Sequence, residues 1–146
     1  VTLGTPDDVS AVNALLEGYG LPAVIASETV ESLVVRKPDG GISATVSLQT
    51  VGDCAFLFGL AVEPARRGEG LGWVIGDAVL RLARTLGARR MYLATTTAAD
   101  FFASRLGFAP VEMDAVDSAV RASANFRASA AFEDAVCMEL GLDEAS

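Results

Sequence analysis

The run Arg67-Gly68-Glu69-Gly70-Leu71-Gly72 joins an apolar segment ending in Leu60-Ala61-Val62-Glu63-Pro64 to a strongly amphipathic one. Glycines at alternate positions allow a tight turn with successive N–H groups facing outward. A helix opening near residue 70 adds unpaired N–H groups and the positive end of its dipole. That combination suits an anion, a phosphate above all. Arg66-Arg67 adds local positive charge to a chain whose net charge is −8, which favours a phosphate-bearing ligand at this loop. An isolated glycine cluster is otherwise a plain strand-to-helix turn, so the flanking elements carry the reading.

What the chain lacks narrows the chemistry. It contains no histidine, which removes Ser-His-Asp and Cys-His catalysis together with His-ligated metals. Cys54 and Cys137 are too few and too distant for a thiolate zinc site; each sits in an apolar, strand-like run and reads as a reduced core residue, with no metal expected. The acidic balance argues against a duplex nucleic-acid partner. A Rossmann dinucleotide loop needs a third glycine where Ile75 stands, and a triphosphatase needs Gly-Lys-Ser/Thr, whereas the only lysine is Lys37.

The elements that must position the loop follow from patterning. A chain of 146 residues, 51% hydrophobic, reads as one domain over residues 1–146. Its longest uncharged stretch, Gly40 to Gly52, is well short of the roughly 18 to 20 residues that span a bilayer. The amino terminus has no basic-then-apolar leader, so a cytoplasmic location and no membrane partner are expected. Thr5-Pro6-Asp7-Asp8 starts a helix over about 6–18, and the segment to Val30 is at best weakly helical. Strands follow over 31–37 and 42–50, joined through Pro38-Asp39-Gly40-Gly41 as an antiparallel hairpin. The strand 54–62 is apolar nearly throughout and belongs at the sheet centre. Leu71, Val74, Ile75, Ala78, Val79, Leu82 and Leu86 stripe a helix over 70–87, stopped by Gly87. A strand at 90–95, a helix at 98–106, a short strand at 108–111, a helical stretch at 114–130 and a last strand at 134–140 complete the chain. Tyr92 and Trp73 read as packing residues, Trp73 with an interface as its alternative.

The residues Leu60-Ala61-Val62-x-Pro64, Arg67-x-x-Gly70-x-Gly72, Ala98-x-x-Phe101-Phe102 and Leu106-Gly107-Phe108 resemble the GNAT superfamily of acetyl-CoA-dependent N-acetyltransferases. The resemblance covers about residues 1–112 and is most specific over 54–111. It implies an α/β fold in which a central, mostly antiparallel, splayed sheet of about six or seven strands is flanked by helices. It further implies acetyl-CoA as co-substrate. Arg67, Gly68, Glu69, Gly70, Leu71 and Gly72 would hold the pyrophosphate, while Leu60, Ala61 and Val62 would pair with the pantetheine arm. Thr95 and Phe102 fall in the cofactor site by the same correspondence. Gly59 would mark the point where the strand bends away from its neighbour.

Transfer of an acetyl group from a thioester needs an oriented amine, a donor for the developing oxyanion and a route for protons. A splayed strand supplies the donor from backbone N–H groups such as those of Leu60 or Val62, and no side-chain nucleophile is required. Many relatives carry an asparagine after the following strand and a tyrosine seven residues later; Thr95 and Phe102 stand there, so the tyrosine acid is missing. Water or Ser104 would then protonate the thiolate, whose pKa is near ~8.5. Phe58 and Gly59 occupy the usual place of a central acid, which leaves an ordered water or a carboxylate from 112–126 as base. No catalytic residue is assigned.

The strings 95–102 and 119–138 are similar to the small acetyltransferases of arsenic-resistance operons, with departures at Ser123, Asn125 and Ala131-Phe132. Double phenylalanine before Gly-Phe also occurs in glutamate-type N-acetyltransferases. The shared implication is a small amino-acid-like amine as partner, an arsenic-containing amino acid among the options. The segment 114–130, between the last two strands, is expected to close over that acceptor, with Arg121 and Arg127 as candidates to grip a carboxylate or other anion. A homodimer is a further expectation. A noncatalytic coenzyme A-binding sensor or scaffold on the same fold is the competing reading.

Overall fold

The computed structural model describes residues 2–63, 70–132 and 134–142. Seven strands form one sheet in the order β1 (Thr2–Leu3), β2 (Val30–Arg36), β3 (Ile42–Val51), β4 (Cys54–Val62), β5 (Arg90–Thr95), β7 (Val136–Gly141) and β6 (Ala109–Pro110). Every neighbouring pair is antiparallel except β4 and β5. A parallel pair needs a crossover, and α2 (Leu71–Thr85) provides it. The mixed, mostly antiparallel sheet expected from the sequence is therefore present, with the apolar β4 at its centre.

Alternation along β4 divides the core into layers. Ala55 and Leu57 pack with Ile75 and Val79 of α2 and with Leu106 of α3 (Ala99–Leu106). Phe56 and Phe58 face Val120 of α4 (Ser118–Ala122) and Phe126 of α5 (Ala124–Ala130). Val12 and Leu16 of α1 (Val9–Glu17) seal a third cluster against Val34, Ile42 and Ala61. The phase of β4 changes at Gly59. Thr45 pairs with Ala61 and Ser47 with Phe58, so β4 carries one residue more than β3 between those points. Gly59 absorbs it with φ +66, a conformation costly for any residue with a Cβ. Beyond the bulge Leu60 and Val62 turn toward the α2 layer.

Several boundaries differ from the sequence reading. The first helix opens as a 3-10 turn, Pro6–Asp8, before α1. There the Thr5 N–H donates to Asp8 Oδ2 at 2.7 Å, while Arg36 grips both Asp8 oxygens at 2.7 Å. Residues 21–27 form no helix. The stretch 114–130 is not one helix but a 3-10 turn (Met113–Ala115), α4 and α5. Asp117 caps α4 by accepting from the Ala119 and Val120 N–H groups at 3.0 and 3.2 Å. Ser123, extended at φ −71 and ψ 146, breaks the run and caps α5. β1, two residues long, was not foreseen.

Both cysteines are free and buried. Burial pushes the Cys54 thiol up to about 11, helped by the charges of Asp117 and Asp53, and burial raises Cys137 as well. Both are therefore held as thiols. Among the described residues no cluster suits a metal ion, and no helix is long and apolar enough to cross a membrane.

Candidate active site

β4 and β5 pair only at Cys54–Arg90, Ala55–Met91 and Phe56–Tyr92. Beyond Phe56, β4 stays with β3 while β5 follows β7 out to Thr95–Val136. The parallel pair thus opens as a wedge at the carboxyl ends of both strands, the usual place for a ligand in a sheet with helical crossovers. The Glu63 N–H donates to the Ser43 carbonyl at 2.8 Å. Since N–H groups alternate along a ladder, Leu60 turns its backbone away from β3, into the gap β5 has left.

Two cavities meet at this wedge. The larger, about 680 Å³, is walled by Leu60, Ala61 and Val62 and by Gly70, Leu71 and Gly72 at the start of α2. Phe101 and Arg105 of α3 close it. Gly70 turns into α2 with φ +80, and the first intrahelical bond runs from the Val74 N–H to the Gly70 carbonyl at 3.0 Å. The N–H groups of Leu71, Gly72 and Trp73 therefore have no acceptor within the helix. A Cβ on Gly72 would stand 3.6 Å from the Phe101 ring, so any longer side chain would crowd the wall. The smaller cavity, about 180 Å³, lies in the wedge itself between Phe58, Leu93 and Thr95, and is capped by Ser129 and Phe132. Tyr19, Leu21, Leu60, Thr97 and Ala98 belong to both.

The six residues 60–62 and 70–72 read from the sequence as cofactor-binding are thus brought together; Arg67, Gly68 and Glu69 lie outside the described residues. Thr95 and Phe102 line the smaller cavity rather than the larger. Thr95 Oγ1 accepts from the Ala98 N–H at 3.0 Å. Phe102 is buried, its ring edge-on to Phe101 and Phe108. Arg121 and Arg127 line neither cavity. Arg121 is half-buried on α4 with its Nε lacking a hydrogen-bond partner, and Arg127 is exposed on α5. Ser104 donates to the Asp100 carbonyl at 2.7 Å in its own helix, and Asp117 is committed to its cap. Trp73 is not a packing residue: it is 49% exposed and lines the larger cavity.

Sequence reading missed Tyr19. The chain leaves α1 through Gly18, Tyr19 and Gly20, and the Tyr19 hydroxyl donates to the Val62 carbonyl at 2.8 Å. This ties the loop after α1 to the end of β4, where the two cavities join. An aromatic residue between two glycines just past a helix was a visible signal, but which strand it reaches was not.

A sheet parted at its one parallel pair, with a helix amino terminus at the mouth, is the build of an acetyltransferase fold. The chain belongs to the acetyltransferase (GNAT) family, whose model matches residues 13–108. Rv2747 from Mycobacterium tuberculosis, solved in complex with CoA, is 22% identical with a TM-score of 0.76, over 97% of this chain and 99% of that one. N-acetylglutamate synthase from Neisseria gonorrhoeae, solved with coenzyme A and N-acetyl-glutamate, is 21% identical with a TM-score of 0.75 over 97% of this chain. This chain spans only 35% of that synthase. The ribosomal-protein-S18-alanine N-acetyltransferase from Escherichia coli is 21% identical with a TM-score of 0.68, over 97% of this chain and 93% of that one. At these identities the likeness is one of fold. The sequence matches no curated protein.

Proposed function

We propose that this protein transfers an acetyl group from acetyl-CoA to the primary amine of a small molecule. The observation that carries the proposal is the wedge between β4 and β5, into which Leu60 turns its backbone beside the start of α2. The residues present suit the cofactor. The N–H groups of Leu71, Gly72 and Trp73 would hold phosphate oxygens, with the helix dipole behind them, and Arg105 offers a cation at the same cavity. Leu60, Val62, Leu71 and Phe101 give an apolar wall for the pantetheine arm. Arg67, Gly68 and Glu69 are proposed members of the same anion site. When bound, acetyl-CoA supplies an activated acetyl thioester and a thiol leaving group.

The Leu60 N–H is the donor placed to stabilise negative charge developing on an acyl oxygen in the wedge, worth on the order of 2.7–4 kcal/mol for one such donor. Thr95 and Phe102 shape the acyl end from the smaller cavity. Tyr19, fixed on the Val62 carbonyl, holds the wall common to both cavities.

On the residue likeness over 95–102 and 119–138 alone the acceptor would be amino-acid-like, arsenical amino acids among its members; the lining of the smaller cavity favours a different one. The CoA-bound synthase that carries N-acetyl-glutamate is in keeping with the amino-acid-like reading. Arg121 and Arg127 stand away from both cavities, so as carboxylate grips they would act only on a part of the acceptor outside them. A homodimer and a cytoplasmic location belong to the same proposal.

Thermal unfolding with and without acetyl-CoA, with NADH and ATP as controls, tests the cofactor. At about one hundred times the dissociation constant, specific binding adds roughly 2.7 kcal/mol, an upshift of several degrees for a chain of this size. Thiol release on addition of small amines then tests turnover. An upshift without thiol release for any amine would favour the noncatalytic sensor or scaffold; no upshift would overturn the proposal.

A further inference from the structure

We infer that the acceptor is a small, largely apolar amine whose nitrogen is uncharged at neutral pH, the class of aromatic amines and arylhydrazines, rather than an α-amino acid. This inference rests on the acetyltransferase reading above. It starts from the walls of the smaller cavity, which lies in the wedge on the side of Ser129 and Phe132. Among the described residues lining it, none is an Asp, Glu, Lys or Arg, and Tyr19 is the one titratable group. The rest of the lining is apolar or carries a hydroxyl.

An α-amino acid would bring a carboxylate and an ammonium into this space, where no described lining residue offers either an opposite charge. Burying unpaired charges is costly, and the group neutralises or stays out. A neutral amine meets no such penalty. Its N–H groups and lone pair match hydroxyls that both donate and accept, those of Thr95, Thr96, Thr97 and Ser129. Thr95 already accepts from the Ala98 N–H, which leaves its own O–H to donate. Size points the same way. The cavity measures about 180 Å³ with Phe58 and Phe132 in its lining, and an apolar cavity of about 150 Å³ is known to hold a benzene ring.

The proton route agrees. The acceptor nitrogen uses its lone pair to form the new C–N bond as the acyl C–S bond breaks. Sulfur leaves with that electron pair, and one N–H proton departs, so one amide and one thiol result. An alkylammonium must lose a further proton before it has a lone pair to use, and such groups titrate near ~10.4. No carboxylate among the described lining residues stands ready to take that proton. Aromatic amines and arylhydrazines arrive neutral.

Acetyl-CoA-dependent thiol release from the full chain, measured from pH 7 to 9 with aniline, phenylhydrazine, benzylamine, glutamate and an arsenical amino acid, tests the inference. Aniline and phenylhydrazine should give kcat/KM at least about tenfold above either amino acid at pH 7, with little pH dependence. Benzylamine should gain about tenfold per pH unit, following its neutral fraction. Phe132→Ala should raise KM for aniline about tenfold while leaving the acetyl-CoA thermal upshift intact. Glutamate or the arsenical turned over at pH 7 as well as aniline, or an unchanged aniline KM in the Phe132 variant, overturns the inference. So does an acetyl-CoA upshift with no turnover of either aromatic compound, although the cofactor assignment then stands. Loss of the upshift itself removes the parent reading instead.

Discussion

The two cavities at the wedge are built in different ways. The larger sets backbone at the end of β4 and the glycine entry to α2 beside the side chains of Leu60, Trp73, Phe101 and Arg105, and two of its walls are separated by only a few residues of chain. The smaller draws on six separate stretches, residues 19–22, 57–60 and 93–98 with Phe102, Ser129 and Phe132. A cavity of backbone amides recognises a feature common to many ligands and tolerates sequence change. A cavity of side chains can be re-lined one residue at a time. Within a family that shares a thioester donor and varies its acceptors, the first is where constancy belongs and the second is where specificity belongs.

Substitutions that separate the cavities test this division. The largest effect should come from Gly72→Leu. A Cβ at Gly72 already lies in contact with the Phe101 ring, so a leucine would project into the larger cavity. Acetyl-CoA binding should weaken on the order of 100-fold, about 2.7 kcal/mol. In the free protein the gain in helix propensity, at most roughly 0.8 kcal/mol at this second helical position, works against the crowding at Phe101. Ligand-dependent thermal unfolding separates the two effects, and an unchanged upshift would remove Gly72 from the site.

Asn125→Ala is the counterpart on the other side. Asn125 is buried and fixes the Ile25 backbone from both ends, accepting from its N–H at 2.9 Å and donating to its carbonyl at 2.9 Å, with Gln49 as a third partner at 3.1 Å. It thereby ties the loop that supplies Tyr19 and Leu21 to the helix that supplies Ser129. Truncation should cost about 1–3 kcal/mol of stability. It should raise KM for the acceptor while the midpoint of acetyl-CoA binding stays put; equal damage to both would show that the cavities are not separable.

The same contrast explains what could be read from the sequence. The ends of β4 and β5 coincide with the apolar runs 54–62 and 90–95, because turn residues bound them on either side. The α2 stripe and the glycines before it are local patterns too, so most of the larger cavity was visible. Of the smaller cavity only Leu60, Thr95 and Phe102 were read, and as cofactor contacts, since Tyr19, Phe58, Thr95 and Phe132 become neighbours only through the fold. The break at Ser123 was hidden for a different reason. A helical period runs on through it, and only the capping chemistry of Asp117 and Ser123 marks two short helices. The arginines of that stretch read as grips because their helix was expected to close over the site; its division leaves both of them off the cavity walls.

Where the cavities share a wall, effects should be smaller and should reach both. Gly59 lines the smaller cavity and precedes the shared Leu60; Gly59→Ala finds space, with Leu16 at 3.5 Å from the new Cβ, but not a comfortable backbone, since φ is +66. The expected penalty is about 1–2 kcal/mol, seen as a lower melting temperature with modest losses in both donor and acceptor affinity. Tyr19→Phe removes one hydrogen bond to the Val62 carbonyl and should cost about 0.5–1.5 kcal/mol. A loss confined to one ligand in either variant would argue against a common wall.

The least effect on either cavity is expected from Asp8, which lines neither. The Arg36 guanidinium, with the Thr5 N–H, holds its carboxyl well below the usual carboxylate range. A depressed acid stabilises the fold above the pKa it has when unfolded, near ~3.9, and that contribution is lost as pH falls below it, because the unfolded chain takes up the proton first. Melting temperature should therefore drop between about pH 5 and 2 more steeply for the native chain than for Asp8→Asn, which has no such proton to take up. At pH 7 the variant should melt slightly lower yet show the native acetyl-CoA upshift and the native acceptor KM. If it lost either, the α1 side of the molecule would be coupled to the wedge through more than the Tyr19 contact, and the independence of the two cavities would have to be given up.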